Sequence, residues 1–122
     1  MINPYLSFIL LFVEDPLASA AFYSKLFNLN PIEQYPTFAL FAFKNGVMLG
    51  LWSKKTAEPT VTALAGATEI AFIEENIDAT YNQLLALGIP IAQKPTHMSF
   101  GYTFVALDPD GHRIRIYKLA EK

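Results

Sequence analysis

The segment that decides the fold is Asp108-Pro109-Asp110-Gly111-His112-Arg113-Ile114-Arg115-Ile116. Its first four residues predict a tight turn, because proline fixes φ for a turn and glycine accepts a positive φ. After the turn, Ile114 and Ile116 alternate with Arg113 and Arg115, which is the period of a strand with one buried face. The other face of this strand is therefore expected to meet either solvent or a cavity.

The elements that precede this segment repeat in a fixed order. The first part of the chain predicts βαβββ at 5–13, 16–28, 31–35, 38–43 and 47–52. The second part predicts the same order at 68–73, 76–87, 89–93, 101–107 and 113–119. The strands are called from apolar, β-branched and aromatic runs, the helices from apolar residues at helical spacing. We therefore expect an α+β fold, in which two βαβββ modules form curved, cup-shaped mixed sheets with helices on the outer face.

The predicted organisation is a single domain that spans residues 1–122. One module is expected at 1–52, a linker of polar and small residues at 53–66, and the second module at 67–122. Each module has one helix for four strands, so a helix covers only one face of each sheet. The other face must be covered by something else or stay open as a cup.

The composition excludes several classes of function. The 122 residues are 52% hydrophobic and 16% charged with a net charge of -2, and no lysine and arginine run marks a nucleic-acid partner. The chain has no cysteine, hence no disulfide, thiolate metal site or cysteine nucleophile. The apolar run at 5–13 is too short to span a membrane. We expect a cytoplasmic protein with no membrane or nucleic-acid partner.

The order and spacing of several short motifs resemble the vicinal oxygen chelate superfamily, which includes glyoxalase I, extradiol dioxygenases and the bleomycin- and phenazine-resistance proteins. The motifs that carry the resemblance are Phe12-Val13-Glu14-Asp15, Thr68-Glu69-Ile70-Ala71-Phe72, Leu87-Gly88 and Asp108-Pro109-Asp110-Gly111-His112. The segments 50–53 and 100–104 are most similar to the phenazine-resistance branch, whose members bind a planar antibiotic without chemistry. Because this fold hosts many chemistries, the function must be argued from the site.

The resemblance implies four metal-ligand positions in the metal-dependent members, and these fall on Phe8, Gly50, Glu69 and Arg115. Only Glu69 offers a ligand atom, whereas a divalent ion needs three or four. We therefore expect no metal and no other cofactor. His97, placed by the sequence in a loop, is the residue that a displaced metal site would have to recruit.

The resemblance also places an aromatic and apolar lining on the inward face of the sheets. It implies that Trp52 stacks on a flat ligand. Gly50 is expected to leave a flat recess between Met48 and Trp52. The residues predicted to bind the ligand are Phe8, Met48, Gly50, Trp52, Glu69, Phe100, Tyr102 and Arg115. Alternatives stay open at three points: Trp52 could pack at a subunit interface, Glu69 and Arg115 could form a structural pair, and Phe100 and Tyr102 could lie away from the mouth.

Three functions follow from this reasoning. The favoured hypothesis is a metal-independent protein that binds and sequesters a planar aromatic compound, such as a phenazine- or bleomycin-type antibiotic, with no catalytic residue. The alternative is a lyase or isomerase of the glyoxalase type whose displaced metal is held by Glu69 and His97. The third is an interaction module whose own side chains fill the cup. The sequence favours a binding protein over an enzyme.

The last expectation concerns assembly. A single-layer sheet with helices on one side leaves apolar strand surface uncovered, and relatives solve this by pairing two chains. We expect a two-fold homodimer with two equivalent pockets. Each pocket would be built from Phe8 and Trp52 of one chain and Glu69 and Arg115 of the partner subunit.

Overall fold

The computed structural model describes residues 1–121, in two compact units that meet between Ala63 and Leu64 in the sequence. The first unit contains β1 (Phe8–Val13), α1 (Pro16–Phe27), β2 (Glu33–Tyr35), β3 (Phe38–Ala42) and β4 (Met48–Ser53). The second contains β5 (Glu69–Ile73), α2 (Ile77–Ala86), β6 (Ile91–Met98), β7 (Gly101–Leu107) and β8 (Arg113–Leu119). The predicted α+β class and the repeated βαβββ order are confirmed.

The first unit is a four-stranded mixed sheet in the order β1-β4-β3-β2, with β1 parallel to β4 and the other pairs antiparallel. Helix α1 begins after Asp15, whose carboxylate accepts hydrogen bonds from the backbone N–H groups of Leu17 and Ala18. The helix ends at Asn28, which adopts the left-handed conformation. Both ends of α1 are thus set by residue types that cap helices.

Successive side chains along the strands point to opposite faces of the first sheet, and the two faces differ in burial. The face packed under α1 carries the fully buried side chains of Val13, Ala39, Phe41, Leu49 and Leu51. Rings of α1 meet this face, since Phe27 lies edge-on to Phe41 with centroids 6.3 Å apart. The opposite face, which we call the open face, carries half-buried or exposed apolar side chains. The open face is therefore an apolar surface that α1 leaves uncovered.

The second unit repeats the arrangement with the strand order β5-β8-β7-β6, in which β5 is parallel to β8. Its helix-covered face buries Phe104, Ile114 and Ile116. The predicted turn is present before β8, because the Asp108 carboxylate accepts hydrogen bonds from the backbone N–H groups of Asp110 and His112. This turn fixes the register in which β8 pairs with β5 and β7.

Two strand boundaries differ from the sequence prediction by three residues or more. Strand β1 begins at Phe8 rather than Tyr5, because its neighbour β4 begins at Met48, the residue paired with Phe8. Strand β6 runs to Met98 rather than ending at Gln93. Strand β6 lies at the edge of the sheet, and its register with β7 is irregular around Pro95. A proline is tolerated there because the sheet does not need a hydrogen bond from its backbone nitrogen. His97 therefore lies in a strand, not in a loop.

Neither helix within residues 1–121 has the length and apolar character that crossing a membrane requires.

Candidate functional site

An apolar groove lies on the open face of the first sheet. It is lined by Phe8, Leu10, Phe38 and Trp52 and has a volume of about 370 Å³. The lining residues come together because β1, β3 and β4 are neighbours in the sheet, with Phe38 and Phe12 both paired with Trp52. Of the residues predicted to bind the ligand, Phe8 and Trp52 line the groove, whereas Leu10 and Phe38 line it without having been on that list.

Gly50 lies beneath three of the side chains that line the groove, and it does not leave the open recess that the sequence suggested. A β-carbon at this position would lie 2.7 Å from Cε1 of Phe8, 2.8 Å from Cδ2 of Leu10 and 3.0 Å from Cζ of Phe38. The three side chains therefore pack into the space that glycine leaves. The groove is bounded by side-chain ends, which can rotate, rather than by rigid backbone.

Trp52 forms one wall of the groove and is half-buried. Its ring lies 5.8 Å from that of Phe12 in a tilted arrangement, so one edge is held while another part faces the groove. Met48 lies on the same open face, paired with Phe8 and half-buried, but it is not a lining residue of the groove. An aromatic wall of this kind can stack on a flat ring.

The second unit holds a charged group that we call the arginine cluster, formed by Glu69, Arg113 and Arg115. Glu69 on β5 is directly opposite Arg113 on β8, and Arg115 lies two residues further along the same face. Arg115 makes a two-bond contact with Glu69, from Nε to Oε1 at 2.6 Å and from Nη2 to Oε2 at 3.0 Å. Arg113 reaches the same carboxylate, with Nη2 2.5 Å from Oε2.

The surroundings of Arg115 fix it in place. Its Nη1 donates to Oγ1 of buried Thr103 at 3.2 Å and to Oε1 of Gln93 at 3.3 Å. The Arg115 hydrogen bonds lower the pKa of Glu69 below its usual value, although burial of the carboxyl opposes them. Glu69 is thus ionised at neutral pH, and Arg115 forms an ion pair with it. This is the structural pair that the sequence left open as an alternative to ligand binding.

Phe100 and Tyr102 lie on different sides of the second sheet. The Arg115 guanidinium carbon lies 5.9 Å from the centre of the Phe100 ring, so Phe100 belongs with the arginine cluster. Tyr102 faces α2 instead, because its hydroxyl donates to Asp78 at 2.8 Å and its ring stacks on His97 at 4.3 Å. The structure therefore does not bring Tyr102 together with Glu69 and Arg115.

The residues at the four implied metal positions do not fit a metal ion. In the first unit, the Phe8 ring packs over Gly50, and neither residue supplies a side-chain ligand atom. In the second unit, both oxygens of Glu69 accept hydrogen bonds from Arg115. Across residues 1–121 there is no group of three or more His, Cys, Asp or Glu side chains that could hold a metal.

The alternative that recruits His97 beside Glu69 meets a geometric obstacle. His97 is paired with Tyr102 in the β6–β7 ladder and stacks on its ring. Tyr102 in turn contacts α2, whereas Glu69 lies on the face of the sheet that also carries Arg115 and Thr103. His97 and Glu69 thus point to opposite faces of one sheet and do not form a common ligand set.

Three residues of these groups were not among those predicted to bind the ligand. Leu10 and Phe38 line the groove, and Arg113 shares the Glu69 carboxylate. Leu10 and Arg113 were recoverable from strand parity, since they share a face with Phe8 and Arg115. Phe38 carried no such signal, because its place beside Trp52 depends on the register of the β3–β4 hairpin.

The chain is similar to known proteins over nearly its whole length. The sequence profile of the glyoxalase/bleomycin resistance protein/dioxygenase superfamily matches residues 5–116. The phenazine antibiotic resistance protein EhpR of Enterobacter agglomerans is 28% identical over 116 residues, covering 90% of this chain and 88% of that protein.

Two solved structures are similar as well. The solution NMR structure of protein ATC0852 from Agrobacterium tumefaciens is 43% identical, with a TM-score of 0.87, and the match covers 98% of this chain and all of that one. A crystal structure of a glyoxalase/bleomycin resistance protein/dioxygenase from Nocardioides is 23% identical with a TM-score of 0.85, covering 99% of this chain and 87% of that one. The second match supports the fold alone.

Proposed function

Because the chain belongs to the glyoxalase/bleomycin resistance protein/dioxygenase superfamily, we propose that it binds and sequesters a planar aromatic small molecule without a metal. The similarity to a phenazine antibiotic resistance protein supports a resistance role of this kind. The binding site is the apolar groove of the first unit, where the flat ligand stacks on Trp52. The cytoplasmic location expected from the sequence stays a prediction.

The observation that carries the proposal is the composition of the groove walls. All four lining residues are apolar, three of them are aromatic, and the volume of about 370 Å³ lies in the range of small-molecule sites. A flat aromatic ligand that stacks on an indole gains about 0.5–1.5 kcal/mol beyond the burial of its area. The same volume supports a ligand site over a cup that its own side chains fill.

The decisive experiment uses the fact that Trp52 is the only tryptophan of the chain. Titration with phenazine is expected to quench its fluorescence saturably, because the ligand stacks on the emitting ring. Isothermal calorimetry of the Trp52→Ala variant is expected to show about tenfold weaker binding, the upper end for one lost stacking contact. Trp52→Phe keeps an aromatic wall and is the matched control, expected to retain most of the affinity.

Two results would contradict the proposal. One is the absence of quenching by phenazine and by a panel of other flat aromatics. The other is equal calorimetric affinity in the wild type and in Trp52→Ala, since the tryptophan would then form no part of the site.

We propose also that two copies of the chain associate. Exposed apolar side chains remain in both units, among them Phe8 at 39% exposure, Leu10 at 42% and Ile73 at 62%. Monomers seldom expose large apolar patches without a partner. Sedimentation at micromolar concentration is expected to give twice the 13.6 kDa of one chain. A mass of one chain would contradict the homodimer.

A further inference from the structure

We propose that Arg113 binds the carboxylate of a small-molecule anion on the second unit, and that Glu69 and Arg115 hold it ready to do so. The observation behind this inference is the unequal use of the two guanidinium groups in the arginine cluster. The inference does not rest on the proposed aromatic groove, because every residue that it uses belongs to the second unit.

Arg115 already uses four of its five N–H donors within the protein. Its Nε and Nη2 are both bound to Glu69, and its Nη1 donates to Gln93 and Thr103. Its side chain is only 16% exposed. The surroundings of Arg115 therefore favour the structural pair with Glu69 over a direct contact with the ligand.

Arg113 differs in each of these respects. Its side chain is 42% exposed, and it contacts Glu69 through Nη2. Its Nε is buried and has no hydrogen-bond partner among the described residues. A buried donor without a partner is unfavourable and rare in folded proteins. A carboxylate that approaches the exposed guanidinium, with a small rotation of the group, gives Nε this partner and completes the two-bond fork that arginine forms with carboxylates.

Charge and neighbouring groups select the kind of anion. Two arginines and one ionised glutamate leave the cluster with a net charge of +1. A carboxylate with one negative charge neutralises it, whereas a phosphate dianion would leave an excess of negative charge. The Phe100 ring, 38% exposed, lies beside the cluster at Arg115 and offers an apolar contact. The structure thus favours a carboxylate attached to an apolar body.

The test follows the Nε–H signals of arginine by NMR while sodium benzoate is added at constant ionic strength. The chain has only two arginines, so the Arg113→Gln variant assigns the Arg113 signal by its disappearance. This signal is expected to shift saturably with benzoate and to stay in place with benzamide, which has the same shape without the charge. The Arg115 signal is expected to move much less.

Variants and a second anion complete the test. Arg113→Lys keeps the charge but lacks the planar fork, so benzoate binding followed by backbone amide shifts is expected to weaken by about tenfold. Trp52→Ala is expected to leave the Arg113 response unchanged, which separates this site from the aromatic groove. Equal shifts with benzoate and benzamide, unchanged binding in Arg113→Lys, or tighter binding of inorganic phosphate than of benzoate would each overturn the assignment.

Discussion

Replacing Gly101 with alanine is expected to destabilise the protein by about 3 kcal/mol, the upper range for backbone strain and close to the largest effects of single substitutions. A β-carbon at this position would lie 2.0 Å from the carbonyl oxygen of Lys118 and 2.9 Å from the backbone of Leu119. These atoms belong to β8, which is paired with β7 at this point, so they cannot move away as a flexible side chain would.

Urea unfolding followed by far-ultraviolet circular dichroism measures this effect. Gly88→Ala is the matched control, since Gly88 also has a positive φ, of 75°, but a β-carbon there meets no atom within 4 Å. The control is expected to lose about 1 kcal/mol through backbone conformation alone. Equal losses in the two variants would show that the contact with β8 does not matter.

Replacing Glu69 with glutamine is expected to cost about 2 kcal/mol of unfolding free energy, between the values for exposed and for fully buried ion pairs. The Glu69 side chain is 27% exposed. Without its negative charge, Arg113 and Arg115 lie side by side with no anion between them. Glu75→Gln is the control, because the Glu75 side chain is 96% exposed and pairs with Lys118 only at 3.5 Å. This control is expected to change the stability by less than about 0.5 kcal/mol.

The same carboxylate makes the stability depend on pH in a defined direction. The hydrogen bonds from Arg115 lower the pKa of Glu69 in the folded protein below its value in the unfolded chain. The unfolded chain therefore binds the proton first, and the contribution of Glu69 is complete above the unfolded pKa of about 4.3 and is lost as the pH falls through the folded pKa. Urea midpoints between pH 3 and pH 7 measure this, and Glu69→Gln is expected to flatten the acid limb. An acid limb of equal slope in the variant would assign it to other groups.

Local sequence patterns predicted most of the fold because the determinants of each element lie within a few residues. Asp15-Pro16 set the start of α1, and the turn at Asp108 set the start of β8. The ends of strands were harder to predict from the sequence. Strand β1 begins where its partner β4 begins, and β6 continues because it lies at an edge. Those ends depend on neighbours that are distant in the sequence.

The site was only partly predictable for a related reason. Period-two alternation correctly placed Phe8, Gly50 and Trp52 on one face, and Glu69 with Arg115 on another. Alternation cannot show that rings rotate into the space above Gly50, nor that one carboxylate serves two guanidinium groups. Tyr102 illustrates the limit, because the partner of its hydroxyl lies on a helix 24 positions earlier in the chain.

The parallel pairing of β1 with β4, and of β5 with β8, has a consequence for the order of folding. In each unit the remaining strands form antiparallel pairs with near neighbours in the sequence, whereas the parallel pair joins the two ends of the βαβββ module. Contacts between distant residues require the closure of a long loop and form late. The hairpins are thus expected to appear first and the parallel ladders last. Phe8 lies on β1 and Glu69 lies on β5. The groove and the arginine cluster are therefore expected to form only at the last step of folding.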